Sequence, residues 1–274
     1  MSSMPADFSV LMAVWQGDHP DHFRDALRTV THSQHLKPAH LVLSVDGPLP
    51  ADLDAVAQDV ERGEFGPATV LRHHVHSGLA ATLQRGLEAA PTEIIARADA
   101  DDLNHPRRFA LQIPRFEADH LDILGSAMHE LGTDRVRRRP LTHAEILRYL
   151  RDHSPFQHPT VVLRRSAVQA AGGYRTLAYM EDYDLWQRML AAGARSANLP
   201  DPLVDYRVGP DLYDRRGGAV LFRSDLAIQR ALVADGMTTR LRALRNLTIR
   251  AAYRVVPSRM RRFMYRLLVE TIGI

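Results

Sequence analysis

Three carboxylates lie close together at Asp99, Asp101 and Asp102, directly after the short apolar run Ile94 to Ala96. An apolar run of this length predicts a buried strand, which here ends in an acidic loop. Crowded carboxylates repel one another unless a cation lies among them. The segment therefore indicates either a divalent metal site or a solvated acidic turn.

A second acidic pair, Glu181 and Asp182, precedes an apolar pattern with helical spacing. That pattern consists of Leu185, Trp186, Met189 and Leu190. It predicts a helix that begins at the acidic pair. Acidic residues at a helix N-terminus interact favourably with the helix dipole, so capping alone accounts for their position. Asp184, in the first turn, is expected to be a solvated surface residue.

Two further clusters are candidates for ligand binding. His73, His74 and His76 carry metal-ligating side chains, but only His74 and His76 share a face of a regular strand, and no third ligand is evident. A zinc site is therefore not expected. Arg215 and Arg216 either close over a diphosphate, whose oxygens match arginine forks, or form a solvated turn.

The composition limits the classes of mechanism. The chain has 274 residues, 45% hydrophobic and 24% charged, which suits one main globular domain with an appendage. It has no cysteine, which excludes disulfides, thiolate zinc sites and cysteine nucleophiles. Lys37 is the only lysine, which excludes a Walker-type phosphate loop. Because no basic region followed by a long apolar run is present, we expect neither a signal peptide nor a spanning helix.

Hydrophobic periodicity predicts four strands that alternate with three helices. The predicted strands cover 8–15, 41–45, 69–75 and the run that begins at position 94, and the predicted helices cover 22–30, 51–60 and 78–90. Three β-α units followed by a fourth strand indicate an α/β fold with a parallel sheet and helices on both faces. Asp46 and Asp99 follow strands of this sheet, so both are expected to face one crevice.

Six segments occur in a fixed order along the chain. They are FSVLMAVW, LVLSVDGPL, HSGLAATLQRGL, ARADADD, FQHPTVVLRRSAVQAAGGY and YMEDYDLWQRMLAAG. Together, over about residues 8 to 208, they resemble the family 2 glycosyltransferases of the GT-A fold that build bacterial surface polysaccharides. The resemblance implies a Rossmann-like, mostly parallel sheet flanked by helices, a nucleotide-sugar donor, Mn²⁺ or Mg²⁺, and inverting transfer to a hydroxyl.

By this resemblance, the first segments form the donor site. Asp101 and Asp99 are implied metal ligands, and Asp99 also faces the ribose or sugar of the donor. Asp46 is implied to accept a hydrogen bond from the nucleobase. Ala13 and Trp15 are implied to line the base pocket, although a core tryptophan is the alternative for Trp15. The departures DGP and SG, at positions where the family more often has DDGS and NxG, leave the nucleobase open, with a UDP-sugar as the leading expectation.

Arg97 lies two residues before Asp99 and therefore on the same face of a regular strand. It is expected to support Asp99 or to reach the donor, with a structural ion pair as the alternative. Arg215 and Arg216 are assigned to the donor side as diphosphate ligands.

The later segments resemble the acceptor half of the family. Asp182 is implied to be the general base that takes a proton from the acceptor hydroxyl, and Glu181 to orient the acceptor or the base. His158, Gly173 and Tyr174 belong to acceptor-side motifs. No QxxRW motif follows, so transfer of a single sugar is favoured over processive synthesis.

The predicted organisation is a GT-A catalytic domain over 1–210 and a basic helical extension over 211–274. The donor half covers about 8–105 and the acceptor half about 106–208. From Arg240 to the end, nine arginines accompany one acidic residue. Two helices, over 240–252 and 260–268, are predicted on either side of Pro257. They either bind an anionic membrane surface or pack on the catalytic domain or a second subunit. Nucleic-acid binding is not expected.

The expected function is the transfer of one sugar to a glycan or lipid-linked acceptor in the cytoplasm, at the inner face of the membrane if the tail binds lipid. A phosphatase with a DxD nucleophile is disfavoured, because Leu103 follows Asp102 and no lysine lies downstream. A nucleotidyltransferase would need a Gly-rich basic loop after the first strand. A degenerate transferase fold that only binds a nucleotide sugar or a partner subunit remains the alternative.

Overall fold

The computed structural model of the protein describes residues 6–177, 179–208 and 219–255. Nine strands in these ranges form one sheet. They are β1 Phe8–Trp15, β2 His40–Asp46, β3 Ala68–Arg72, β4 Ile94–Asp99, β5 Leu103–Asn104, β6 Ile123–Glu130, β7 Val136–Arg137, β8 Val162–Arg164 and β9 Ser196–Tyr206. The α-helices are α1 Pro20–Val30, α2 Ala51–Glu61, α3 Leu79–Ala89, α4 Arg108–Ala118, α5 His143–Leu150, α6 Arg165–Ala170, α7 Glu181–Ala191, α8 Ala219–Ala234 and α9 Arg240–Val255.

The sheet has a parallel half and a mixed half. The strands in the order β3-β2-β1-β4 are all parallel to one another. β8 joins β4 antiparallel, β6 joins β8 antiparallel, and β9 runs parallel to β6. The four strands predicted from periodicity correspond to β1 to β4, which confirms the expected α/β class.

The third strand is shorter than predicted. It ends at Arg72, whereas the apolar pattern extended it to position 75. The difference arises because residues 76–78 fold over the end of β2 and bind the carboxylate of Asp46.

Side chains that alternate along the strands form two core clusters, one on each face of the sheet. On one face, Met12 and Val14 belong to a cluster with buried side chains of α1, α2 and α4. On the other face, Leu11 and Ile95 belong to a cluster with side chains of α3, α7 and α8. Helices therefore cover both faces, as predicted, and the second cluster unites the two halves of the chain.

The C-terminal helices in the described part pack on the rest of the chain. Ile228 and Leu232 of α8 are fully buried in the second core cluster, and α9 packs against α8. The helix predicted over 240–252 is α9, whereas Pro257 and the helix predicted over 260–268 lie outside the described residues. None of the helices in the described ranges combines the length and the hydrophobicity that crossing a membrane requires.

Candidate active site

The ends of β1, β2 and β4 bring the predicted donor-side residues to one edge of the sheet. Trp15 pairs with Asp46 across β1 and β2, and Ala13 pairs with Asp99 across β1 and β4. By strand alternation these residues and Arg97 lie on the face of the second core cluster. This is the same face on which α7 packs, so both predicted halves of the site meet on one side of the sheet.

The three carboxylates after β4 converge as the sequence indicates. Asp99, Asp101 and Asp102 each place one ligand atom within 4.8 Å of the others. Burial raises the pKa of Asp102 well above its ordinary value, and the charges of Asp99 and Asp101 raise it further. Burial and the charge of Asp99 also raise the pKa of Asp101. A compact set of oxygen donors whose mutual repulsion still raises two of the pKa values fits a hard divalent cation such as Mg²⁺ or Mn²⁺.

Two residues at this cluster were not identified from the sequence. The Asp18 carboxylate accepts a hydrogen bond from the Trp15 backbone N–H at 2.9 Å. Burial raises its pKa to about 6, and the charges of Asp101 and Asp99 add to the effect. From the end of β9, Arg207 donates its Nε–H to the Asp101 carbonyl at 2.9 Å and its backbone N–H to Asp102 at 3.1 Å. Asp18 lies three residues after a predicted strand, which is a usable local signal. Arg207 has none, because its contacts span more than one hundred positions.

Arg97 is buried between the acidic cluster and the start of α7. Its side chain is only 1% exposed and donates a hydrogen bond to Asp99. Burial raises the pKa values of Glu181 and Asp182, and the positive charge of Arg97 lowers both. Arg97 thus forms an ion pair with Asp99 and acts electrostatically on the acidic pair of α7, while its contact with the donor stays a prediction.

Asp46 fastens the loop that precedes α3. Its carboxylate accepts hydrogen bonds from the backbone N–H groups of Ser77 at 2.7 Å and Gly78 at 3.0 Å. The Nδ1 atom of His76 lies 2.9 Å away. Burial alone would raise the pKa of Asp46, but these hydrogen bonds and the charge of His76 hold it below its ordinary value. Asp46 thus remains ionised and shapes this edge of the site.

Trp15 is exposed rather than part of the core. Its side chain is at the surface, with the residue 39% exposed, and its ring tilts over His76 at a centroid distance of 5.5 Å. A Cβ atom at Gly17 would lie 2.2 Å from the indole, so the turn after β1 needs glycine to admit the ring. The alternative of a core tryptophan is wrong.

The histidines of this loop have separate roles. His73 shares a hydrogen bond with Ser44 at 3.0 Å, while His76 binds Asp46. Within the described ranges, the carboxylates Asp99, Asp101 and Asp102 are the group whose ligand atoms converge for a metal.

Glu181 and Asp182 occupy the first turn of α7, as predicted. Burial and, to a lesser degree, the charge of Asp182 raise the pKa of Glu181 to about 7. Burial also raises the pKa of Asp182. Chemically, such a pair can accept a proton near neutral pH.

The chain enters α7 in an unfavourable backbone conformation. Tyr179 and Met180 have φ angles of 69° and 67°, in the left-handed region. Each such residue costs about 1–2 kcal/mol when it has a side chain. Strain of this kind occurs preferentially at functional sites.

The predicted acceptor-side residues pack together next to α7. His158 Nε2 lies 3.0 Å from the Tyr174 hydroxyl, and its ring meets Trp186 edge-on. Burial lowers the pKa of His158 well below its ordinary value, so the ring is neutral. Gly173 has a φ angle of 65°, and a Cβ atom there would lie 2.3 Å from Oε1 of Gln84. These residues therefore support the start of α7 from within the protein.

The expectation that Asp184 is a solvated residue is wrong. Its side chain is 16% exposed and lies 2.7 Å from Nη2 of Arg188. The same Nη2 donates to the Gly173 carbonyl at 2.7 Å, and Nη1 donates to the Ala171 carbonyl. Asp184 thus holds the arginine that ties α7 to the glycine turn. The predicted diphosphate ligands Arg215 and Arg216 lie outside the described residues.

A family model and several known proteins match this chain. The model described as Glycosyl transferase family 2 matches residues 9–172. "Amylovoran biosynthesis glycosyltransferase AmsE" of Erwinia amylovora is 33% identical over 262 residues, which cover 94% of this chain and 97% of the relative. An Escherichia coli protein, "UDP-Gal:alpha-D-GlcNAc-diphosphoundecaprenol beta-1,3-galactosyltransferase", is 27% identical over 98% of this chain and 99% of its own length.

Solved structures share the fold at low sequence identity. S. aureus TarS in complex with UDP-GlcNAc aligns with a TM-score of 0.67 and 16% identity, over 83% of this chain and 67% of that one. The mannosyltransferase PcManGT from Pyrobaculum calidifontis, in complex with GDP-Man and Mn²⁺, aligns with a TM-score of 0.61 and 15% identity, over 99% and 82%. With the family match over most of the sheet, these likenesses lead to one conclusion. The chain belongs to glycosyl transferase family 2 and is a glycosyltransferase of the GT-A fold.

Proposed function

We propose that this glycosyltransferase transfers one sugar from a nucleoside diphosphate sugar to a hydroxyl of a glycan or lipid-linked acceptor, with inversion, in polysaccharide biosynthesis. One observation carries the proposal. The buried cation Arg97 pairs with Asp99 of the acidic cluster after β4 and also acts electrostatically on the acidic pair of α7. A UDP-sugar is the first candidate donor, since the E. coli relative is named for UDP-Gal and TarS binds UDP-GlcNAc.

The donor side has the groups that a nucleoside diphosphate requires. Asp99, Asp101 and Asp102 would hold Mn²⁺ or Mg²⁺, and a bound cation supplies neutralisation of the charge on the leaving diphosphate. The exposed indole of Trp15 provides a flat surface for the nucleobase beside Asp46. Ala13, with its small side chain, leaves room for the nucleobase next to Trp15. Arg215 and Arg216 are the proposed ligands of the phosphates.

The acceptor side provides the base. Asp182 takes the proton of the acceptor hydroxyl while that oxygen attacks the anomeric carbon, and the bond from this carbon to the diphosphate breaks. Attack from the side opposite the diphosphate inverts the configuration. Burial raises the pKa of Asp182, which strengthens it as a base. Glu181, with a pKa of about 7, is protonated in part of the molecules at neutral pH and can donate a hydrogen bond that orients the acceptor.

Thermal shift with a panel of nucleoside diphosphates tests the donor and base roles separately. With Mn²⁺ or Mg²⁺, one nucleotide is expected to stabilise the wild type, and chelator is expected to remove the effect. Asp101→Asn should lose this response. Asp182→Asn should keep it while transfer falls by about 10²- to 10⁴-fold. Asp201→Asn, an exposed residue away from the site, is the matched control.

Two outcomes contradict the proposal. If no nucleotide stabilises the wild type with either metal, the donor site is wrong. If a nucleotide sugar binds but Asp182→Asn leaves transfer unchanged, the base is wrong. Binding without transfer to any acceptor would favour a degenerate fold that acts as a nucleotide-sugar-binding subunit.

We further propose that α9 places the enzyme at the inner face of the cell membrane, where a lipid-linked acceptor lies. Leu241, Leu244 and Ile249 share one face of α9 and are 79%, 62% and 59% exposed. The helix contains no acidic residue. Arg242 and Arg250 are engaged in ion pairs with the rest of the chain. Arg245 also pairs with Asp152, at 3.2 Å, but its side chain is 59% exposed. The apolar face, together with this exposed arginine, therefore carries the proposed contact with an anionic bilayer.

A further inference from the structure

Tyr179 is an exposed aromatic residue in a conformation that tyrosine rarely adopts. The residue is 51% exposed and has a φ angle of 69°. Within the described residues it has neither a hydrogen bond nor a ring contact. His120 and Met180 are the other non-glycine residues with positive φ in these ranges. Packing therefore does not account for a tyrosine at this position.

The residues near Tyr179 in the chain pack inward, whereas Tyr179 itself is half exposed. Leu177 and Met180 pack against the second core cluster. Met180 lies immediately before α7, and its carbonyl accepts the backbone N–H of Asp184 at 3.0 Å. The left-handed pair thus anchors the start of α7 through Met180 and leaves Tyr179 half exposed. Glycine would satisfy the same backbone without strain and without a ring.

Tyr179 lies close to the proposed base along the chain. Three consecutive Cα–Cα steps of about 3.8 Å separate Tyr179 from Asp182, so their Cα atoms are at most about 11 Å apart. A hydroxyl that donates its proton to Asp182 brings its own sugar ring into this range. Tyrosine combines a flat apolar surface with a polar tip and orders few rotatable bonds on binding. These properties match the C–H face of a pyranose, with its hydroxyls at the rim.

From these observations we propose that Tyr179 is the platform on which the acceptor sugar stacks, and that the strained turn before α7 holds it beside Asp182. The proposal rests on the proposed transferase function and deepens it. It assigns acceptor recognition to an aromatic contact that is independent of the donor site.

Saturation-transfer NMR on the full chain tests this role without turnover. The probes are methyl glycosides of galactose, glucose, mannose and N-acetylglucosamine, each in the presence of UDP and Mn²⁺. At least one glycoside is expected to receive saturation on its C–H protons in the wild type and in Tyr179→Phe, which keeps the ring. In Tyr179→Gly, which keeps the left-handed backbone, its dissociation constant should rise by about five- to tenfold, the size expected for one aromatic contact.

The proposal is overturned if no glycoside binds the wild type, or if Tyr179→Gly binds as tightly as the wild type. It is also overturned if Tyr179→Phe weakens binding as much as glycine does, because the ring would then not be the contact. The UDP-dependent thermal shift of the same samples reports the donor site separately and is expected to be equal in all three proteins. Its absence from the wild type would contradict the proposed donor, whereas glycoside binding would still decide the role of the ring.

Discussion

Individual carboxylates at the site lie in surroundings that disfavour their ionised form. Burial raises the pKa values of Asp18, Asp101, Asp102, Glu181 and Asp182. A buried carboxylate that ionises lowers the stability of the folded state. The carboxylates proposed to bind a cation and to accept a proton therefore lower the stability of the folded protein.

Glu181→Gln should stabilise the protein at pH 8 and not at pH 4.5. The pKa of Glu181 rises from 4.5 to about 7 on folding, so between these values the folded state holds a proton that the unfolded chain has released. Stability therefore falls as pH rises through this window, and glutamine removes the loss. The full shift corresponds to about 3 kcal/mol, and we expect about 2 kcal/mol because the side chain is partly exposed.

Thermal unfolding with chelator at the two pH values measures this effect. Glu64→Gln, which alters an exposed glutamate after α2, should change stability by less than about 0.5 kcal/mol at both. Equal stabilisation by Glu181→Gln at pH 4.5 and 8 would show that ionisation is not the cause.

The residues of the site differ in how far sequence could predict them. Asp99, Asp101, Glu181 and Asp182 mark the ends of periodic segments, so local pattern sufficed to place them at a strand end and a helix start. The burial of Arg97 and the contact of Arg207 with the acidic loop depend on strands that pair across the chain. No local spacing encodes such contacts.

At the scale of elements, α9 is attached to the catalytic part through charged contacts. Asp152 accepts a hydrogen bond from Arg242 Nε at 3.0 Å and another from Arg245 Nη2 at 3.2 Å. Arg250 pairs with buried Asp225, and its guanidinium lies 5.9 Å from the ring centre of Tyr183. Since Tyr183 follows Asp182 in the chain, α9 braces the helix that carries the proposed base.

Asp152→Asn should loosen α9 and lower the free energy of unfolding by about 2 kcal/mol. The carboxylate is 19% exposed, so its ion pairs are weakly screened, and its loss leaves Arg242 without a charged partner there. Arg245→Gln is the matched control, because that side chain is 59% exposed and its pair with the same carboxylate should contribute less than about 0.5 kcal/mol.

Urea unfolding and amide hydrogen exchange measure both changes. In Asp152→Asn, amide exchange is expected to accelerate more in α9 than in β1. Similar losses in the two variants would mean that the ion pairs at Asp152 do not hold the helix.

The length of each element determined how well the sequence predicted it. β1 to β4 and α1 to α3 alternate with short connections, so each element carries its own periodic signal. β5, β7 and β8 have two or three residues each, too few for a period to be read. Their positions depend on pairing with β6, β4 and β9.

At the scale of the whole molecule, the proposed site residues lie on one face of the sheet and not on the other. One face carries α1, α2 and α4. The other carries α3, α7 and α8, together with the residues assigned to donor and base. α9 packs on α8, which belongs to the second core cluster with α7. A membrane contact through α9 would therefore lie on the side of the sheet that carries the proposed base.

The double variant Leu241→Glu, Leu244→Glu should lose binding to vesicles that contain phosphatidylglycerol. Each leucine removed from the bilayer interface is expected to weaken binding by about tenfold. Val220→Glu, which alters an exposed apolar residue of α8, is the control for added charge. Co-sedimentation measures binding, and full retention by the double variant would exclude this face as the membrane contact.

The contact between α9 and α7 also limits where the genes of such enzymes can recombine. A crossover after β9 would separate Arg250 from Tyr183 and would deprive the core of Ile228 and Leu232. Recombinants of that kind would need compensating changes on both sides of the junction. Genes that diversify their glycan products by recombination are therefore expected to inherit the acceptor half and the C-terminal helices as one unit.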